Sequence, residues 1–275
     1  MLASDDTTLK RIADALERLA PPPPVLADPL AAPAYVWRDK SLIATRSFKP
    51  FPLECLAGVD VQKKALLDNT ARLANRVAAH DVLLWGSRGS GKSALCKSVV
   101  GELQKEGAPI ALIEVAGERV DTLPDLFGHI ADQPRSFVLF VDDLGFEEGS
   151  SAPRLLRSLL EGGAEARPEN ARLYVTANRR HIVAREVQHT EASFARDVLD
   201  DQLALADRFG LNLGFHVCNQ DTYIEMVRGY AARFGLQLDE KQALSWVRSR
   251  SGLSGRMAWQ YIIEIAGEQG KNISL

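Results

Sequence analysis

The sequence predicts an α/β protein: a parallel sheet with helices on both faces, stacked as three αβα layers, followed by a small helical module. Three observations carry this reading. From about residue 51, short apolar runs alternate with helical stretches; one run leads straight into a glycine-rich loop that opens a helix; and strand signals stop after about residue 220. Repeated β-α units pack as a parallel sheet covered by helices.

Composition fits that class. The length of 275 residues corresponds to about 1.8 typical domains, a core plus a smaller module. With 46% apolar and 25% charged residues, the chain can fill a sizeable core and is not disordered throughout. A net charge of −3 argues against a strongly basic nucleic-acid coat or a polybasic membrane binder, though a local basic patch remains compatible. Cys55, Cys96 and Cys218 are odd in number, with no CxxC or zinc spacing, which points to a reducing compartment. No stretch approaches 18 apolar residues, so no membrane span is expected. Charges at Asp5, Asp6, Lys10, Arg11 and Asp14 stand where a signal peptide would be apolar, so a cytoplasmic protein is expected.

The elements follow in order. Leu9, Ile12, Leu16 and Leu19 space a helical stripe over residues 5–19, and Pro21 to Pro24 end it. With Pro29 and Pro33 beyond, residues 1–50 read as an N-terminal helical arm and irregular linker outside the main fold. Residues 58–77 read as helical. Five parallel strands are expected at 82–85, 110–115, 137–141, 173–177 and 211–217. Helices are expected from Lys92, over 123–130, and over 153–160, where Pro153 suits a first turn. Asp221, Asp239 and Ser254 can each cap a following helix. The predicted units are thus the arm and linker at 1–50, an αβα core at 51–219 and a helical lid at 220–275.

Gly86-Ser87-Arg88-Gly89-Ser90-Gly91-Lys92-Ser93 fits the phosphate-loop pattern G-x-x-x-x-G-K-[ST], and it lies between a strand and a helix, as the pattern requires. Gly86, Gly89 and Gly91 let backbone N–H groups turn toward a phosphate. Ser90 and Ala94 complete the loop and the first helical turn, whose N-terminus adds positive potential. Lys92 is predicted to contact the β- and γ-phosphates, and Ser93 to hold Mg²⁺. Trp85 reads as core and Arg88 as a solvent-facing loop residue. The strand over 137–141 runs into Asp142-Asp143. A carboxylate at the C-terminal end of a central parallel strand faces the ligand crevice, so Asp142 is a candidate for the Mg²⁺ shell and Asp143 for orienting a water.

In this order, the motifs resemble the AAA+ ATPase superfamily, and more closely a bacterial family of unassigned role, domain of unknown function 815. The similar stretches are Ala57-Gly58-Val59-Asp60, Val141-Asp142-Asp143-Leu144, Glu161-Gly162-Gly163, Asn178-Arg179-Arg180-His181 and Asp207-Arg208-Phe209-Gly210-Leu211. The likeness spans roughly residues 50–265. It implies that Asn178 is a polar sensor of the γ-phosphate or attacking water, and that Arg208 is an arginine finger acting on a neighbouring copy, hence a homo-oligomer. It also implies that Arg256, in Gly252-Leu253-Ser254-Gly255-Arg256, is a phosphate sensor on the lid. A cation in a first helical turn opposes the helix dipole by about 0.3–1 kcal/mol, and a bound phosphate offsets that cost. Adenine specificity rests on the resemblance too, and no N-K-x-D string for guanine is present.

One departure stands out: Asp143 replaces the glutamate usual in the superfamily, so slow turnover is expected. The leading expectation is an ATP-binding ATPase using Mg²⁺ and coupling lid motion to action on an unknown protein client. The alternative is a nucleotide-gated binding module with negligible hydrolysis. A small-molecule kinase is disfavoured because no second substrate site is visible. Nucleic acid is weakly supported, with Arg179-Arg180-His181 as a thin basic patch.

Overall fold

A computed structural model describes residues 3–19, 26–144, 152–162, 167–178, 205–250 and 252–273. Its centre is a sheet of seven strands: β1 (Ala34–Arg38), β2 (Ser41–Ala44), β3 (Val82–Gly86), β4 (Ile110–Val115), β5 (Ser136–Val141), β6 (Ala171–Asn178) and β7 (Leu211–Phe215). Their spatial order is β2-β1-β4-β5-β6-β3-β7. Every neighbouring pair is parallel except β1–β2.

β5 shows why the sheet is covered on both sides. All six of its residues are buried. Alternate side chains, Phe137, Leu139 and Val141, enter one core cluster, and Val138 and Phe140 enter the other, as the two-residue strand period dictates. The first cluster packs under α4 (Leu123–Ile130) and α5 (Ala152–Glu161), and the second under α2 (Asp60–Ala74) and α3 (Lys92–Lys105). The three αβα layers expected from the sequence are present.

Among the described residues the strand count is seven, not five, and this corrects the sequence reading. The additional strands, β1 and β2, come from residues read as linker. They form a hairpin whose central residues, Asp39 and Lys40, both have positive φ, 49° and 58°. That is the backbone of a tight hairpin turn, usually signalled by Asn-Gly or Asp-Gly, and Asp-Lys carries no such signal. β1 then pairs parallel with β4, Ala34 opposite Leu112, and buries Tyr35 and Trp37 completely. The Trp37 indole donates to Thr122 Oγ1 at 2.8 Å.

α1 (Ala3–Leu19) forms where the stripe predicts it, with Leu9, Ile12 and Leu16 exposed. At the other end, α6 (Gln220–Phe234), α7 (Glu240–Arg248) and α8 (Gly255–Glu268) pack around a third core cluster that includes Tyr223, Val227, Val247, Tyr261 and Ile262. Asp239 and Ser254 cap α7 and α8 as expected. α6 is capped by Asn219, which accepts from Thr222 N at 2.8 Å, not by Asp221, which lies inside the first turn. Among the described residues, no helix is long and apolar enough to cross a membrane.

Candidate nucleotide-binding site

The loop between β3 and α3 has the backbone its glycines allow. Gly86, Gly89 and Gly91 all have positive φ. Gly86 is also sterically fixed: a Cβ there would stand 2.1 Å from the Phe215 carbonyl oxygen on β7. The loop therefore lies close against the neighbouring strand, and only glycine permits that approach.

Lys92 opens α3 and folds back into the loop. Its ammonium donates to Gly86 O at 3.0 Å and Ser87 O at 2.8 Å, and reaches Asn178 Oδ1 at 3.5 Å. Burial depresses its pKa, and the carboxylates of Asp143 and Asp142 oppose that shift. This is a largely buried cation with two anions nearby, a site whose burial strengthens its attraction for a ligand's negative charge.

The carboxylates stand just past β5. Ser93 Oγ donates to Asp142 Oδ1 at 2.6 Å, and Thr176 Oγ1, from β6, donates to the same oxygen at 2.6 Å. Thr176 Oγ1 also accepts from Asp143 N at 2.8 Å. Asp143 has φ 52°, a left-handed conformation that aspartate tolerates better than most residues. Asn178, at the end of β6, donates from Nδ2 to Asp143 Oδ1. Asn178 thus bridges Lys92 and Asp143 through its two amide atoms. Arg88 Nη2 lies 3.5 Å from Asp143 Oδ2, so Arg88 engages the site although its side chain is 79% exposed.

The lid meets the loop directly. Arg256 N approaches Gly89 O at 3.4 Å, and a Cβ on Gly255 would be 3.3 Å from the same carbonyl. Loop, strand ends and lid enclose a cavity of about 380 Å³, within the size range of small-molecule sites. Gly89, Ser90, Gly91, Lys92, Ser93, Ala94, Asp142, Asp143, Asn178 and Arg256 all line it. Part of its lining is apolar and aromatic, formed by Phe51, Val59, Met226, Tyr230 and Trp259. Phe51, Tyr230 and Trp259 make three mutual edge-to-face contacts, with centroids 5.2, 5.6 and 5.8 Å apart.

Sequence reasoning missed this aromatic lining. Its members lie far apart in the chain, and only Val59, in Ala57-Gly58-Val59-Asp60, carried a signal. It also missed Thr176, a strand-interior residue, and the engagement of Arg88. Arg208 does not line the cavity; it pairs with Glu161 at the end of α5, and the two hydrogen bonds from Arg157 and Arg208 hold the Glu161 carboxyl below its usual range. Arg179, Arg180 and His181 lie outside the described residues.

A serine hydroxyl and a carboxylate are hard oxygen donors, the kind Mg²⁺ takes when it keeps waters and substrate phosphates as its remaining ligands. Among the described residues, no cluster of three or more His, Cys, Asp or Glu side chains forms a metal cage, and a phosphate-borne Mg²⁺ needs none.

Among curated proteins, none matches this chain in sequence. In structure, it is similar to the Holliday junction branch migration motor RuvB of Thermotoga maritima, at 19% identity and TM-score 0.51, over 82% of this chain and 68% of that one. It is likewise similar to the Aeropyrum pernix ORC1 protein in complex with DNA, at 13% identity and TM-score 0.55, over 79% of this chain and 65% of that one. At such identities the likeness is one of fold, the AAA+ P-loop architecture. Matched over residues 30–269, the chain belongs to the family described as Protein of unknown function (DUF815).

Proposed function

We propose that the chain binds ATP with Mg²⁺ and hydrolyses it, coupling lid movement to action on a macromolecular client. The observation that carries this is the convergence of Lys92, Ser93, Asp142, Asp143, Asn178 and Arg256 on one cavity. The aromatic lining, with Phe51, Tyr230 and Trp259, supplies flat apolar surface for adenine.

Each residue has a task. Lys92 and the loop N–H groups hold the terminal phosphates. Ser93 and Asp142 hold Mg²⁺, which when bound neutralises charge on those phosphates. Asp143 and Asn178 orient a water for in-line attack, and Arg256 brings the lid's charge to the phosphates. Arg208, outside its own cavity, serves the site of a neighbouring copy, so the working form is a homo-oligomer. The client is a protein in the first instance. RuvB's description as a Holliday junction motor and the DNA in the ORC1 complex support nucleic acid as a second class, against the chain's net charge of −3.

A second reading, a nucleotide-gated switch with negligible turnover, is favoured by one observation: Asp143 is shorter than glutamate and is held by Asn178 and Arg88.

Binding of Mg-ATP and phosphate release, measured for wild type, Lys92→Ala and Asp142→Asn, test the proposal. Loss of binding in Lys92→Ala is expected; unchanged binding there overturns the site assignment. Tight ATP binding with equal phosphate release from wild type and Asp143→Asn favours the switch.

A further inference from the structure

Arg88 occupies a variable position of the phosphate loop, where the motif demands nothing. Its guanidinium lies 3.5 Å from Asp143 Oδ2, while the other Asp143 oxygen accepts from Asn178. The carboxylate is thus held from both sides, by the loop and by the end of β6. Arg88 also lines the cavity beside Lys92, Ser93 and Arg256, and its charge is one of those depressing the Lys92 pKa. One guanidinium therefore touches Asp143 and lines the cavity in which Lys92 would hold a phosphate.

The two claims on it are unequal. Its pair with Asp143 is exposed, with the side chains 79% and 55% accessible, and such a pair shifts an equilibrium by about fivefold at most. A phosphate offers the planar fork two charge-assisted hydrogen bonds and more negative charge. We propose that Arg88 is an exchangeable tether: it holds Asp143 until a terminal phosphate draws the guanidinium away, so that Asp143 is released to orient water only when a triphosphate is bound. Arg88 is in this sense a positioning residue, and its role rests on the nucleotide reading given above.

Competition makes a thermodynamic signature. Calorimetric titration of the full chain with the β,γ-imido analogue of ATP, and separately with ADP, reads it in wild type, Arg88→Ala, Asp143→Ala and the double variant. Arg88→Ala is expected to weaken the analogue about tenfold while changing ADP less than about twofold. Asp143→Ala is expected to tighten the analogue about two- to fivefold more when Arg88 is present than when Arg88 is alanine. Equal tightening in both backgrounds, or equal weakening of analogue and ADP by Arg88→Ala, overturns the tether. Failure of the underlying reading looks different: wild type then binds neither nucleotide, or Lys92→Ala binds like wild type, and both proposals fall together.

Discussion

Ser93 and Asp142 meet at 2.6 Å, hydroxyl to carboxylate, across the gap between α3 and β5. The loop and the strand are thereby joined at the point where the proposed metal would sit. Asp142→Asn keeps the side-chain shape and removes its charge. Affinity for Mg-ATP is expected to fall about 10- to 100-fold, the worth of an interaction with a charged group, with affinity for metal-free ATP held. Titration with and without Mg²⁺ decides it; an equal loss in both conditions speaks against the metal role.

Thr176 is the support beneath that pair. Its hydroxyl donates to Asp142 and accepts from Asp143 N, and the residue is 1% exposed. Thr176→Val leaves a backbone N–H without its partner, at a cost of about 1–3 kcal/mol in stability, while Thr176→Ser keeps the hydroxyl and most of the stability. Urea unfolding compares the two, and phosphate release should follow the same order.

Much of this site was legible because it is written in consecutive residues. The loop and the strand-to-Asp142-Asp143 transition need only local spacing and the rule that strand C-termini face the crevice. Thr176 was illegible because a β-branched residue in a buried strand looks like core whatever its hydroxyl does. Phe51, Tyr230 and Trp259 come together only once α6 and α8 dock beside the segment before α2, and no local pattern encodes that. The hairpin of β1 and β2 was missed for a conformational reason, since Asp39 and Lys40 adopt positive φ without glycine.

Gly86 and Gly128 predict opposite outcomes for one substitution. At Gly86 a Cβ meets the Phe215 carbonyl and the backbone has φ +140°, so Gly86→Ala is expected to cost about 2–6 kcal/mol from strain and overpacking together. At Gly128, inside α4, a Cβ meets nothing within 4 Å, and Gly128→Ala should stabilise by about 0.5–1 kcal/mol. Denaturant midpoints measured side by side check both signs.

The aromatic lining should recognise the base and ignore the phosphate count. Trp259→Ala is expected to weaken ATP and ADP by the same factor, about 5- to 10-fold, as loss of about 1–1.5 kcal/mol of aromatic contact implies. Competition binding with the two nucleotides measures it, and selective loss of ATP alone would contradict the assignment.

Arg208, if it serves a neighbour, must be replaceable by a neighbour. Arg208→Ala and Lys92→Ala are each expected to release little phosphate alone. Mixed, the lysine variant supplies an arginine to the intact site of the other, and activity should rise above either. No recovery over a range of mixing ratios would place the action of Arg208 within its own chain.

The sheet order carries a consequence for assembly. Its two ends are β2, four residues long, and β7, five residues long. An edge that short presents few unpaired backbone groups to a foreign strand. Among the described residues, the sheet therefore offers a second copy of this chain little edge to extend.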